Sequence, residues 1–136
     1  MSPRDRTDPR SPVQLLLFRL GSVPFGVLAG QVAGLREYGA GSEGTAPPCW
    51  FHARLGFPEA PSYRVPTAAL VPREDRPAAW VILDAIDDLI EVGLEAIRPF
   101  PALAEPHALR RGMWGILPWQ GRLVFLVDLD QLLEAV

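Results

Sequence analysis

Lysine and asparagine are absent from this chain of 136 residues, and cysteine occurs once, at Cys49. Each absence closes off a chemistry. The phosphate-cradling loop of nucleotide hydrolases ends in Lys-Ser or Lys-Thr, so the apolar run that finishes in Asp128 imitates only half of such a site. A single thiol forms no internal disulfide, and nothing ties the chain to an oxidising compartment. There is no run of like charge either: 13 basic and 16 acidic side chains leave a net charge of -3. Without a dense cationic face, nucleic acid is not the expected partner. Apolar runs are too short and too interrupted for a signal segment or membrane insertion, and the cytoplasm is the expected location.

What is present is enough apolar material for one compact core. Hydrophobic residues make up 49% of the chain, punctuated by 15 prolines and 12 glycines. All the basic residues are arginine, which together with abundant Ala, Gly and Pro reads as GC-rich coding bias. Residues 1–12 carry three prolines and no aliphatic side chain after Met1, and predict a flexible tail. A single domain is expected over 13–136.

Residues 13–20 read as an apolar strand, Gly21-Ser22 as a turn, and 24–28 as a returning strand that Pro24 pushes toward a sheet edge. Val32, Leu35 and Tyr38, three apart, fit a helical turn or a bent strand. Residues 39–48 have the composition of a loop. Ala53 to Gly56 predicts a short helical turn stopped by glycine. Pro58, Pro61, Pro66, Pro72 and Pro77 forbid a long helix through the middle. Strands follow at 78–86, ended by Asp84, and at 87–92. The closing hairpin runs from Gly115 through a Pro118-Trp119-Gln120-Gly121 turn into Leu123–Leu129, with Gly121 at positive φ. Asp128 is positioned to cap a terminal helix. Many short strands between Gly and Pro turns predict an all-β chain built on small barrels.

The order of these segments resembles the CheW-like domain, the adaptor fold of bacterial chemosensory arrays. The likeness is carried by Leu15-Leu16-Leu17-Phe18-Arg19-Leu20-Gly21, by Phe25-Gly26-Val27, and by Gln31-Val32-Ala33-Gly34-Leu35-Arg36-Glu37-Tyr38. It continues in Ala79 to Ile86 with Asp84, in Ala96-Ile97-Arg98-Pro99-Phe100-Pro101, and in Gly121 to Leu133. The resemblance implies two intertwined SH3-like five-stranded β-barrels around a shared core, a short C-terminal helix, and a partner-binding surface with no catalytic residues and no cofactor. The implied partners are the regulatory domain of a chemotaxis histidine kinase of the CheA type, a chemoreceptor's cytoplasmic tip, or other CheW-like domains. The chain departs from the family where an Asn-Leu-Arg-Gly-like motif normally lies between the two halves. It has no asparagine, and the divergent loop 39–48 stands in that stretch.

Four residues are the protein-interaction candidates: Arg36, Glu37 and Tyr38, which match the family stretch bordering the groove between barrels, and Trp119, expected at a turn tip. Of the other tryptophans, Trp80 is expected in the core. Asp84, Asp87 and Asp88 are the alternative, a carboxylate cluster for a small metal-dependent hydrolase, although Ala85 and Ile86 interrupt any calcium-loop spacing. The plainer reading is a strand end with solvated acids. Cys49 and His52 have the spacing of a zinc half-site, and with His107 they do not complete one. A small-ligand-binding barrel is the third possibility, with no convergent polar groups visible to support it.

Overall fold

The computed structural model describes residues 12–39, 48–57 and 61–134. Most of the tail expected over 1–12, and the interior of the loop expected over 39–48, lie outside these residues; Pro12 already belongs to the first strand. Strand β1 spans Pro12–Leu20 and β2 spans Val23–Leu28. A single 3-10 turn then leads to β3, Gly34–Glu37. After it come β4 (Cys49–Trp50), α1 (Phe51–Leu55), β5 (Thr67–Arg73), β6 (Arg76–Leu83) and β7 (Ile86–Gly93). The chain closes with α2 (Glu105–Arg110), β8 (Met113–Trp119), β9 (Arg122–Val127) and α3 (Leu129–Glu134).

The strands form two sheets, ordered β7-β1-β2-β9-β8 and β3-β5-β6-β4. The chain therefore starts the first sheet, leaves to build the second, and returns to finish the first, so the halves are interleaved in sequence. The mainly β architecture in two sheets matches the sequence reading. In detail, the second sheet has four strands among the described residues, and neither sheet closes into a hydrogen-bonded cylinder.

Strand β1 explains how two sheets share one interior. Its residues alternate between two apolar clusters: Leu15 and Leu17 face Ile90, Val92, Leu117, Val124 and Leu126 inside the five-stranded sheet. Leu16, Phe18 and Leu20 face the other way, into a core completed by Ala69, Val71, Val81 and Leu83 of the second sheet and by Phe51, Leu55, Leu129 and Leu132 of the helices. A strand buried on both faces reads as a continuous apolar run, which is why Leu15-Leu16-Leu17-Phe18 lacks polar alternation. Strand β9 does the same with Val124 and Leu126 on one side and Val127 on the other.

Pro24 does not force β2 to an edge. β2 lies between β1 and β9, and its parallel pairing with β9 begins only at Phe25, so no ladder bond from that neighbour is required at Pro24. The last hairpin is tighter than its sequence suggests: Trp119 still pairs with Arg122, and Gln120 and Gly121 alone turn the chain, with φ of 50° and 77°. Two successive positive φ values are those of a hairpin turn whose twist matches the strands. Asp128 caps α3 as expected, accepting the amides of Asp130 at 2.9 Å and Gln131 at 3.2 Å. Gln31 locks this cap from the other end of the chain, donating to Asp128 Oδ1 at 2.8 Å and accepting from the Leu129 amide at 2.8 Å.

Asp84 overturns the expectation of solvated acids at the end of β6. It is fully buried, and its carboxylate accepts the backbone amides of Arg64 (2.9 Å), Val65 (2.8 Å) and Ala85 (2.8 Å). Burial pushes its pKa up, but the three amides and the Arg64 guanidinium at 3.6 Å outweigh burial and hold it below the ordinary 3.8. The carboxylate thus fixes the stretch that leads into β5. Asp87 is half-exposed and pairs with Arg19 at 3.4 Å and Arg64 at 3.1 Å.

Two stability predictions follow from these contacts. Phe18, 1% exposed and ringed by Phe25 and Phe51, is expected to cost about 4 kcal/mol on truncation to Ala, measured by urea unfolding. Asp84→Asn is expected to cost about 3 kcal/mol, because it weakens charge-assisted bonds at a buried position, whereas Asp87→Asn costs less than about 1 kcal/mol. The unfolded state binds the Asp84 proton first as pH falls, so the carboxylate's contribution is complete above its ordinary pKa and disappears as pH drops through the lowered folded value. Urea midpoints measured on the acid side of pH 4 should therefore fall more steeply in the native chain than in Asp84→Asn.

Candidate functional site

Arg36 and Glu37 lie on β3, the outer strand of the four-stranded sheet, and both are exposed. Tyr38 follows directly, its amide bonded to the Pro66 carbonyl at 2.9 Å. Cross-strand register places Arg36 opposite Ala68 and, one strand further, Ile82; Gly34 stands opposite Leu70 and then Trp80. The alternating residues Ala69, Val71, Val81 and Leu83 face the core, so Arg36, Ala68, Leu70, Trp80 and Ile82 share the sheet's outer face.

On that face the Arg36 guanidinium lies over the Trp80 ring, 4.4 Å from its centroid. The planar cation stacks on the aromatic face and holds the ring in place. Trp80 is consequently only half-buried, and the expectation that it sits in the core is overturned. Along β6, Val81 and Leu83 point into the core, which sends Trp80 and Ile82 outward. The opposite flank of the face is aromatic as well. Trp50 meets Tyr38 edge-on at 5.4 Å and Tyr63 edge-on at 5.1 Å. Ala68 and Ile82, between the flanks, are fully buried.

Tyr63 anchors the aromatic group. Burial is the chief reason its pKa is pushed up to about 12; the His52 backbone amide lowers it and the nearby Asp84 charge raises it further. The hydroxyl keeps its proton, accepts the His52 amide at 3.4 Å and shares a hydrogen bond of 2.8 Å with His52 Nδ1. His52 is thereby an aromatic-cluster residue, and Cys49, in β4, joins no group of three metal-ligating side chains among the described residues. The tyrosine and tryptophan of this cluster were not singled out from sequence as partners of Tyr38, because no spacing links positions 38, 50 and 63.

Trp119 is not brought together with Arg36, Glu37 and Tyr38. It lies in β8, at one edge of the other sheet, half-buried against the cluster formed by Leu15, Leu17 and Leu117. It lines a recess of about 340 Å³ with Leu17, Arg19, Asp87, Asp88 and Arg122. The carboxylates of the alternative hydrolase reading diverge. Asp84 points into backbone amides, Asp87 into two arginines, and Asp88 accepts the Leu89 amide at 2.9 Å. Among the described residues no group of three His, Cys, Asp or Glu side chains is arranged to hold a metal ion. No helix there is long and apolar enough to cross a membrane.

No family model and no curated protein matches the sequence. Among solved structures, the chain is similar to the crystal structure of the scaffolding protein TtCheW from Thermoanaerobacter tengcongensis, with a TM-score of 0.64 and 16% identity. The match covers 85% of this chain and 88% of that one. Two interleaved sheets around a shared core, in this order and over this length, give the chain a CheW-like fold.

Proposed function

We propose that the protein is a non-catalytic scaffold of a bacterial chemosensory array, acting in the cytoplasm as a CheW-like adaptor. The reading is carried by the likeness to a scaffolding protein over most of both chains. The outer face of the four-stranded sheet, together with its edge strand β3, is the contact surface that this reading assigns. Its candidate contact residues are Arg36, Glu37 and Tyr38, with Trp119 as a separate anchor on the other sheet. A face set with arginine and tryptophan offers the residue types enriched at interface hot spots. The partners proposed are the regulatory domain of a CheA-type kinase, another CheW-like domain, or a chemoreceptor's cytoplasmic tip. The loop 39–48 in place of the Asn-Leu-Arg-Gly-like motif favours the kinase side over ordinary receptor coupling.

The test is a binding titration of the purified chain against a chemosensory kinase's regulatory domain and, separately, a chemoreceptor tip from the same organism. The kinase domain is expected to bind, and Arg36→Glu to weaken that binding about tenfold or more through lost stacking and reversed charge. The same variant should melt within a few degrees of the native chain, since the site is at the surface. Failure of both partners to bind would sink the adaptor reading and leave the fold unaffected.

A further inference from the structure

We propose that the recess between α1 and α2 is a binding site for a phosphate group carried on a larger body. The recess has a volume of about 420 Å³ and is lined by Arg54, Arg110, Arg111 and His107, with no carboxylate in its wall among the described residues. In a chain of net charge -3 this concentration of cations is unusual. Four arginines elsewhere pair with acids: Arg19 and Arg64 with Asp87, Arg73 and Arg76 with Glu134. Arg54, Arg110 and Arg111 make no ion pair among the described residues.

The three side chains are nevertheless held in place. Arg111 Nη1 donates to the Leu55 carbonyl at the end of α1 at 2.7 Å, and Arg54 Nη2 donates to the Leu133 carbonyl of α3. Arg110 Nε donates to the Pro106 carbonyl at 3.2 Å, and its Nη2 meets His107 Nδ1 at 3.2 Å. A guanidinium has five N–H donors, so each retains donors after these contacts. Arg54 Nε is itself buried with no acceptor among the described residues.

Gly56 shapes the same corner of the recess. It ends α1 at φ 90°, and a Cβ there would stand 2.7 Å from Arg111 Nη1. Glycine therefore serves both the left-handed turn and the close approach of the guanidinium. With their orientation fixed by backbone carbonyls, the arginines lose little freedom when an anion arrives. Three guanidinium forks exceed what a single carboxylate satisfies. A phosphate brings a charge of about -1.5 to -2 and three acceptor oxygens, the match for several forks at once. The volume leaves room for what the phosphate is attached to.

The site stands on this geometry alone and does not rest on the scaffold reading. Its test uses the full chain at low ionic strength, titrated with pyrophosphate, with ADP, and with a phosphoserine peptide beside its unphosphorylated form. At least one phosphate probe is expected to bind and to raise the melting temperature. Arg110→Glu, whose contacts are confined to α2, is expected to weaken binding about tenfold or more, the loss from one charge-assisted contact and its reversal. Arg110→Gln should give a smaller loss, and both should melt like the native chain without ligand. Arg122→Glu makes the same charge change outside the recess and should leave binding unchanged. Binding of ADP or pyrophosphate alone supports the site with a free phosphate compound as its source, and binding of the phosphopeptide alone supports it with a modified side chain. No binding by any probe, or equal weakening by Arg110→Glu and Arg122→Glu, would overturn it.

Discussion

Burial of β1 on both faces is the constraint on which the rest of the structure depends. A strand in an ordinary two-layer protein has one face to hide, and its partner sheet can be exchanged. Here Leu15 and Leu17 complete one cluster while Leu16, Phe18 and Leu20 complete the other. A slip of one residue in register would exchange the two sets and spoil both interiors at once. The core also ties distant segments together: all six phenylalanines of the chain join through ring contacts, from Phe51 and Phe57 through Phe18 and Phe25 to Phe125 and Phe100. Neither sheet can loosen without the other losing packing.

Polar locks then set where the strands end. Asp84 terminates β6 and gathers the amides of residues 64, 65 and 85, and Asp128 terminates β9 and gathers the amides that open α3. Both aspartates follow apolar runs, and both satisfy backbone donors that the ladder leaves unpaired. The two apolar-run-plus-aspartate patterns that resemble parts of catalytic motifs are, in this fold, the same structural device used twice.

This division explains what was legible in the sequence. Continuous apolar runs bounded by Gly and Pro mark β1, β2, β6 and the closing hairpin, because burial on one or both faces writes directly into composition. The glycine stop at Gly56 and the Asp128 cap were also visible, since each needs a particular residue at a particular place. Three features were not. The inward turn of Asp84 depends on amides twenty residues earlier in the chain, and exposure of an aspartate is the default for its type. The outward position of Trp80 depends on which face of β6 meets the core, which alternation alone leaves undecided. The helix α2 lies after a Pro-rich stretch and buries only Ala108, too little to give a periodic signal. Of the four interaction candidates, Arg36 and Tyr38 share the outer face, Glu37 alternates to the other side of β3 and Trp119 lies on the other sheet, while the aromatic neighbours of Tyr38 come from positions 50 and 63 and meet only through the sheet.

The exclusive use of arginine, whatever its genomic origin, has a structural consequence. A lysine ammonium is a compact point charge, whereas a guanidinium is a planar fork that can stack and donate in several directions. The fold uses those properties repeatedly. Arg36 stacks on Trp80, Arg122 reaches the Ser22 carbonyl across the hairpin ends, and Arg111 and Arg54 reach carbonyls of α1 and α3. Arg64 joins Asp84 and Asp87, and so links the approach to β5 with the start of β7. Lysine at these positions would keep the charge and lose the stacking or the fork. The arginines at the surface are therefore joints between elements, and the fork geometry that makes them so is one a lysine could not reproduce.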